Sequence, residues 1–144
     1  MPNHFHFLIE VTGKSLEPIK VGGIVMPSIT NGFRLLQSSY AKGINKQLNR
    51  TGNLFQQKTK SKFVSEDKNY SITTFHYIHQ NPVTAGLVNG AEDWPYSSFP
   101  DYTGTRDGKL CNKKKATELL ELSGMEIKTD VNKKIGEERI EKIY

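Results

Sequence analysis

The sequence predicts an α+β fold in which a sheet is packed by helices. Residues alternate in character along HFHFLI near the start, apolar residues recur at helical spacing in two later segments, and LFQQKTKSKFV alternates again. In an extended chain, residues two apart share a face, so His4, His6 and Leu8 stand together on a first strand. Phe5, Phe7 and Ile9 then turn the other way, into a core. Residues 12–28 are rich in glycine and proline around VGGIVMP and read as a loop.

SITNGFRLLQSSYAKGINKQL follows as an amphipathic helix. Its apolar stripe is Ile29, Phe33, Leu36, Tyr40 and Ile44, its opposite side carries Arg34, Lys42 and Lys46, and Gly43 weakens it locally. NRTGN supplies a turn into a second strand, on which Lys58, Lys60 and Lys62 form a row. SEDKNYSITTFHYIHQNPV is the second long helix, with Ser65, Glu66 and Asp67 suited to its N-terminus and Pro82 marking its end. Ile72, Phe75 and Ile78 make its apolar contact. Thr73, Tyr77 and Asn81 lie on a neighbouring, more polar stripe, where residues four apart can address one point in space. AGLVNGAEDWPYSSFPDY reads as a loop-rich wrap anchored by Trp94, Tyr96 and Phe99, and KKKATELLEL as a short helix. The stretch from Glu126 to Tyr144 reads as a marginal helix or partly disordered tail.

A length of 144 residues suits one domain. The apolar runs are far short of a membrane span and no secretion signal opens the chain, which points to a cytoplasmic protein without membrane contact. Cys111 is the only cysteine, excluding an internal disulfide and a thiolate zinc cluster. Any metal must rely on histidine, carboxylate or amide ligands. Charge is regional. From Pro18 to Ser65 there is no Asp or Glu, while Lys20, Arg34, Lys42, Lys46, Arg50, Lys58, Lys60 and Lys62 add eight positive charges. The rest of the chain carries 12 basic against 15 acidic residues. An acid-free basic segment suits a polyanion such as nucleic acid, because neutralising phosphates releases counterions; a solvated basic face is the alternative. The HxH pair is likewise open between two ordinary strand histidines and two adjacent metal ligands.

Taken in order and spacing, MPNHFHFLIE, RTGNLFQQKTKSKFV, YIHQNPVTAGLV and EDWPYSSFPDY resemble the signature blocks of the REP-associated tyrosine transposases, relatives of the single-strand insertion-sequence transposases with a His-hydrophobic-His motif. The resemblance covers residues 1–104, a transposase-like catalytic and DNA-binding domain, with 105–144 as a C-terminal helical tail. It implies an antiparallel sheet of the ferredoxin-like type. It makes His4, His6 and Asn81 ligands of a divalent ion, Mg²⁺ or Mn²⁺, and Tyr77 the nucleophile. The reaction it implies is cleavage and rejoining of single-stranded DNA through a 5′-phosphotyrosine link, with transposition as the outcome.

The partner implied is hairpin-containing single-stranded DNA, gripped by Arg34, Lys42, Lys46, Arg50, Lys58, Lys60 and Lys62. Family members carry a strand, a helix and a strand before the MPNH block, so the chain is expected to lack that segment, and an exposed sheet edge would favour a homodimer. Two other readings are a non-catalytic DNA-binding remnant and a structural zinc-binding protein using all four histidines.

Overall fold

A computed structural model of the chain describes residues 4–55, 59–64, 67–133 and 135–136. Its architecture is α+β, with one two-stranded antiparallel sheet and six α-helices among the described residues. The chain divides into two compact units, Ile9–Ser61 and Met1–Leu8 with Lys62–Tyr144.

In the unit Ile9–Ser61, α1 (Gly13–Leu16) is capped by the Thr12 side chain. A hairpin follows, β1 (Pro18–Val21) paired with β2 (Ile24–Pro27), and then the long α2 (Ser28–Gln47). The strands therefore fall in the stretch expected to be a loop. Gly22 and Gly23 have φ of +56° and +85°, and a two-residue hairpin turn needs positive φ at both central positions. Glycine reaches that region without a Cβ penalty, so the Gly-Gly pair closes a hairpin in the register Val21↔Ile24 through Pro18↔Pro27. The helix α2 forms where its period predicts. No residue of it is buried, and Leu36 and Tyr40 of its apolar stripe are 53% and 57% exposed.

The strands expected along HFHFLI and LFQQKTKSKFV do not form among the described residues. Among the described residues, 4–11 and 59–64 belong to no sheet, while Gln56, Gln57 and Lys58 lie outside the described residues. Phe5, Phe7 and Ile9 are exposed, not directed into a core. Alternation gives a segment a strand-like surface, but a strand persists only when its backbone groups find partners in a ladder.

The other unit is built around α3 (Lys68–Thr84), whose N-cap Asp67 accepts a hydrogen bond from the Asn69 amide at 3.0 Å. Ser65 and Glu66 lie outside the described residues. Pro82 does not end this helix. It sits inside the last turn, where Ala85 N–H still reaches the Asn81 carbonyl at 3.0 Å, and the helix closes past it through Gly86 N–H on Val83. Proline removes one amide donor, a loss tolerated close to a helix end. Phe75 packs with Ala91, Phe99, Leu120, Leu122, Ile127 and Val131, and Ile72, Val83 and Tyr102 lean on this cluster.

The core is therefore completed by α4 (Phe99–Tyr102), α5 (Lys113–Leu120) and α6 (Gly124–Asp130), so helices beyond residue 104 share the core of α3. The start of α6 is fixed by Ser123 and Glu126, each side chain accepting from the other's backbone amide. Between α3 and α5, buried Asp101 accepts from Arg106 Nε and Nη2, both at 2.7 Å, and from Gly108 N–H at 2.8 Å. Of the three expected anchors Phe99 is buried and Trp94 half-buried. Tyr96 anchors nothing: it is 85% exposed and meets Trp94 edge-on.

Candidate active site around Tyr77

Helical periodicity puts Tyr77 and Asn81 one turn apart on α3, and both are buried. Asn81 Nδ2 lies 3.5 Å from Tyr77 Oη, to which it donates. The same amide nitrogen donates to His6 Nε2 at 3.0 Å, which leaves the His6 proton on Nδ1. The His6 ring stands edge-on to Tyr77 with centroids 5.9 Å apart, and edge-on to His4 at 4.9 Å. Three of the four residues expected to form the site thus meet, and the fourth, His4, stands edge-on to His6. Burial, and next the neighbouring His4, pushes the His6 imidazole below its ordinary value. It is the neutral, lone-pair-bearing form at pH 7.

These residues fit a divalent ion in their donor chemistry. A neutral imidazole nitrogen and an amide face each other at 3.0 Å, and a half-turn of the Asn81 amide would bring Oδ1 where Nδ2 now lies. Neighbouring ligand atoms on an ion with bonds of 2.0–2.1 Å are about 3 Å apart. No cluster of three or more His, Cys, Asp or Glu side chains gathers among the described residues. The four histidines belong to separate places: His4 and His6 at the Tyr77 site, His76 and His79 in the interior around Phe75.

Of the residues expected to hold DNA, Arg34, Lys42, Lys46, Arg50 and Lys60 belong to the unit Ile9–Ser61, whereas Lys62 belongs to the unit that carries Tyr77. Lys58 lies outside the described residues. Lys42, Lys46, Arg50 and Lys60 are exposed and take part in no ion pair among the described residues. Arg34 is held on its own helix, donating through Nε and Nη2 to Asn31 Oδ1 at 3.0 and 2.8 Å.

The structure adds side chains that no motif marked. His79 Nε2 meets Ser98 Oγ at 2.8 Å, and burial, reinforced by His76, lowers the His79 imidazole to about 4. His76 is buried with neither ring nitrogen hydrogen-bonded. Gln80 Nε2 donates to the carbonyls of Val131 and Lys133 at 2.6 and 2.8 Å, tying the end of α6 to α3. A histidine or glutamine carries no local signal of such distant partners.

Compared with known proteins, the chain matches no family model, no curated protein and no solved structure. No helix among the described residues is long and apolar enough to cross a membrane.

Proposed function

We propose that the chain is a cytoplasmic, metal-dependent transposase of single-stranded DNA, with Tyr77 as nucleophile and a ferredoxin-like architecture. The observation that supports it best is the meeting of His6 with Asn81, 75 residues away in sequence, and with Tyr77 beside it, since the same residues carry the resemblance in sequence. His4, His6 and Asn81 would hold Mg²⁺ or Mn²⁺, which when bound supplies positive charge to a phosphate and to its departing oxygen. Tyr77 Oη forms the new bond to phosphorus, its proton leaves to solvent, and the bond to the 3′ oxygen breaks. That oxygen takes up a proton as a free 3′-hydroxyl, and the 5′-phosphotyrosine link conserves the bond for rejoining. The basic residues of Ile9–Ser61 together with Lys62 attract the DNA backbone. A homodimer is the proposed assembly.

The test is a labelled single-stranded hairpin with Mn²⁺, scored for a denaturant-resistant protein–DNA adduct. Adduct lost in Tyr77→Phe supports the reading, and Mn²⁺ affinity unchanged in His4→Ala plus His6→Ala overturns its metal site. Replacing Lys58, Lys60 and Lys62 with Ala should lower the salt slope of DNA binding by roughly two to three units. One observation favours a second reading, a DNA-binding remnant without chemistry: Tyr77 is 7% exposed, which leaves little of its side chain for a phosphodiester to approach. Hairpin binding with no adduct under any metal condition decides for that reading.

A further inference from the structure

The segment between α3 and α4 ends in a tight turn held from several sides. Ser97 N–H donates to the Trp94 carbonyl at 3.0 Å, closing a four-residue turn with Pro95 at its second position, where a fixed φ suits the ring. Arg106 braces this turn: Nη1 donates to the Pro95 carbonyl at 2.8 Å and Nη2 to the Ser97 carbonyl at 2.5 Å. Asp101 in turn holds the same guanidinium through Nε and Nη2. Ser97 Oγ accepts from Phe99 N–H at 3.1 Å. On either side of the turn, Ala91 and Phe99 enter the core cluster of Phe75, which lies two residues before Tyr77 on α3.

What this mount carries is Tyr96, the third residue of the turn, whose side chain is 85% exposed. At that exposure the faces of its ring are open to solvent, and half-buried Trp94 stands edge-on to it with centroids 5.5 Å apart. A single exposed tyrosine is ordinary surface. One projected from a backbone pinned at the carbonyls before and after it is preorganised, and with two rotatable bonds it loses little entropy when a flat partner lies on it. The carboxylates just upstream are turned toward Gly90: Asp93 Oδ2 accepts from its N–H at 3.0 Å, and Glu92 lies where a side chain at Gly90 would stand. We propose that Tyr96 is a stacking platform for one unpaired base of single-stranded DNA, set on the same unit as Tyr77. Every base offers a π-face, so the platform holds the strand without reading its sequence. The inference rests on the DNA reading for its ligand class and adds a contact to the bases that the metal ligands, the nucleophile and the basic residues do not supply.

The experiment measures binding of a labelled unpaired strand by fluorescence anisotropy in EDTA, for the wild type, Tyr96→Ala and Tyr96→Phe, over a series of salt concentrations. Tyr96→Ala should weaken binding at least about fivefold, while Tyr96→Phe, which keeps the ring, should bind as the wild type does. The salt slope should be the same in all three, because a stacked base releases no counterion. Circular dichroism should not distinguish the variants, since the side chain is taken from solvent and not from the core. A strand of equal length whose sugars carry no bases makes the same deletion from the other side, and the wild type and Tyr96→Ala should bind it equally. Equal binding of the base-bearing strand by these two proteins overturns the platform and leaves the DNA reading standing. Equal losses in Tyr96→Ala and Tyr96→Phe also overturn it, placing the contact at the hydroxyl. If the wild type binds no strand, the DNA reading falls and the platform falls with it.

Discussion

Phe75 and Leu36 each lie on the apolar stripe of a helix, yet Phe75 is buried and Leu36 is half in solvent. The unit around α3 assembles a core from four helices and a 3₁₀ turn, whereas the described residues of Ile9–Ser61 include no buried side chain. Helical periodicity thus decides that a helix forms and which side is apolar, but burial depends on a second element arriving with a matching face. The difference separates the labour of the molecule. Stability resides where Phe75, Phe99 and Ile127 interlock, and the basic hairpin-helix unit is a surface whose shape depends on caps, a tight turn and the hydrogen bond from Asn45 to the Gly52 carbonyl.

The largest effect should come from cutting into the core. Phe99→Ala is expected to lower unfolding free energy by about 3–5 kcal/mol, while Leu36→Ala changes it by less than about 1 kcal/mol. Urea titration followed by circular dichroism would measure both, and comparable losses would dissolve the contrast between the units.

Acid should sharpen it. His79 is held neutral down to about 4, while the unfolded chain takes up the proton near 6.5. This stability is complete above pH 6.5 and lost as pH falls toward 4, on the order of 3 kcal/mol in all. His76, also shifted downward by burial, acts in the same direction. His79→Gln should flatten the pH dependence of the urea midpoint between 4 and 6.5, and an unchanged slope would point to other titrating groups.

Next comes the polar corner at Asp101. The Arg106 guanidinium and the Gly108 amide hold this carboxyl well below its ordinary range, at about 2, so its contribution persists above pH 3.8 and disappears as pH falls toward 2. Arg106→Ala leaves a buried carboxylate short of donors and should cost about 2 kcal/mol at pH 7. Gly108→Ala tests the same corner differently, because a Cβ there would stand 2.6 Å from an Asp101 oxygen.

The smallest expected effect lies in the hairpin. Gly23→Ala forces a positive φ on a side chain and should cost about 1 kcal/mol locally. Global unfolding should barely register it; amide exchange of the β1 and β2 backbone should quicken, and slow exchange there would show the turn tolerates alanine.

Much of this contrast is legible in the sequence. The two long helices, the Asp67 cap and the neighbourhood of Tyr77 and Asn81 follow from spacing alone, and the meeting of His6 with that pair accords with the motif order. The hairpin differs from the expected loop: glycine and proline content signals irregular chain, although a Gly-Gly pair between PIKV and IVMP also closes a two-residue turn. HFHFLI forms no strand among the described residues because alternation sets the surface of a segment and not its ladder. Pro82 was over-read as a stop because the rule concerns average preference, and the last helical turn needs few donors. His79 with Ser98, and Gln80 with Val131 and Lys133, depend on pairings with residues far along the chain that no local pattern encodes.

The segment carrying His6 is joined to the unit it packs against only through the whole of Ile9–Ser61. Closing so long a loop costs up to about 3–4 kcal/mol of chain entropy. The His6–Asn81 hydrogen bond contributes about 1 kcal/mol, and the edge-on contact with Tyr77 another 0.5–1.5 kcal/mol. Those two contacts offset only part of that cost, so the hold of residues 4–8 also rests on the further interactions of His4, Phe5 and Phe7.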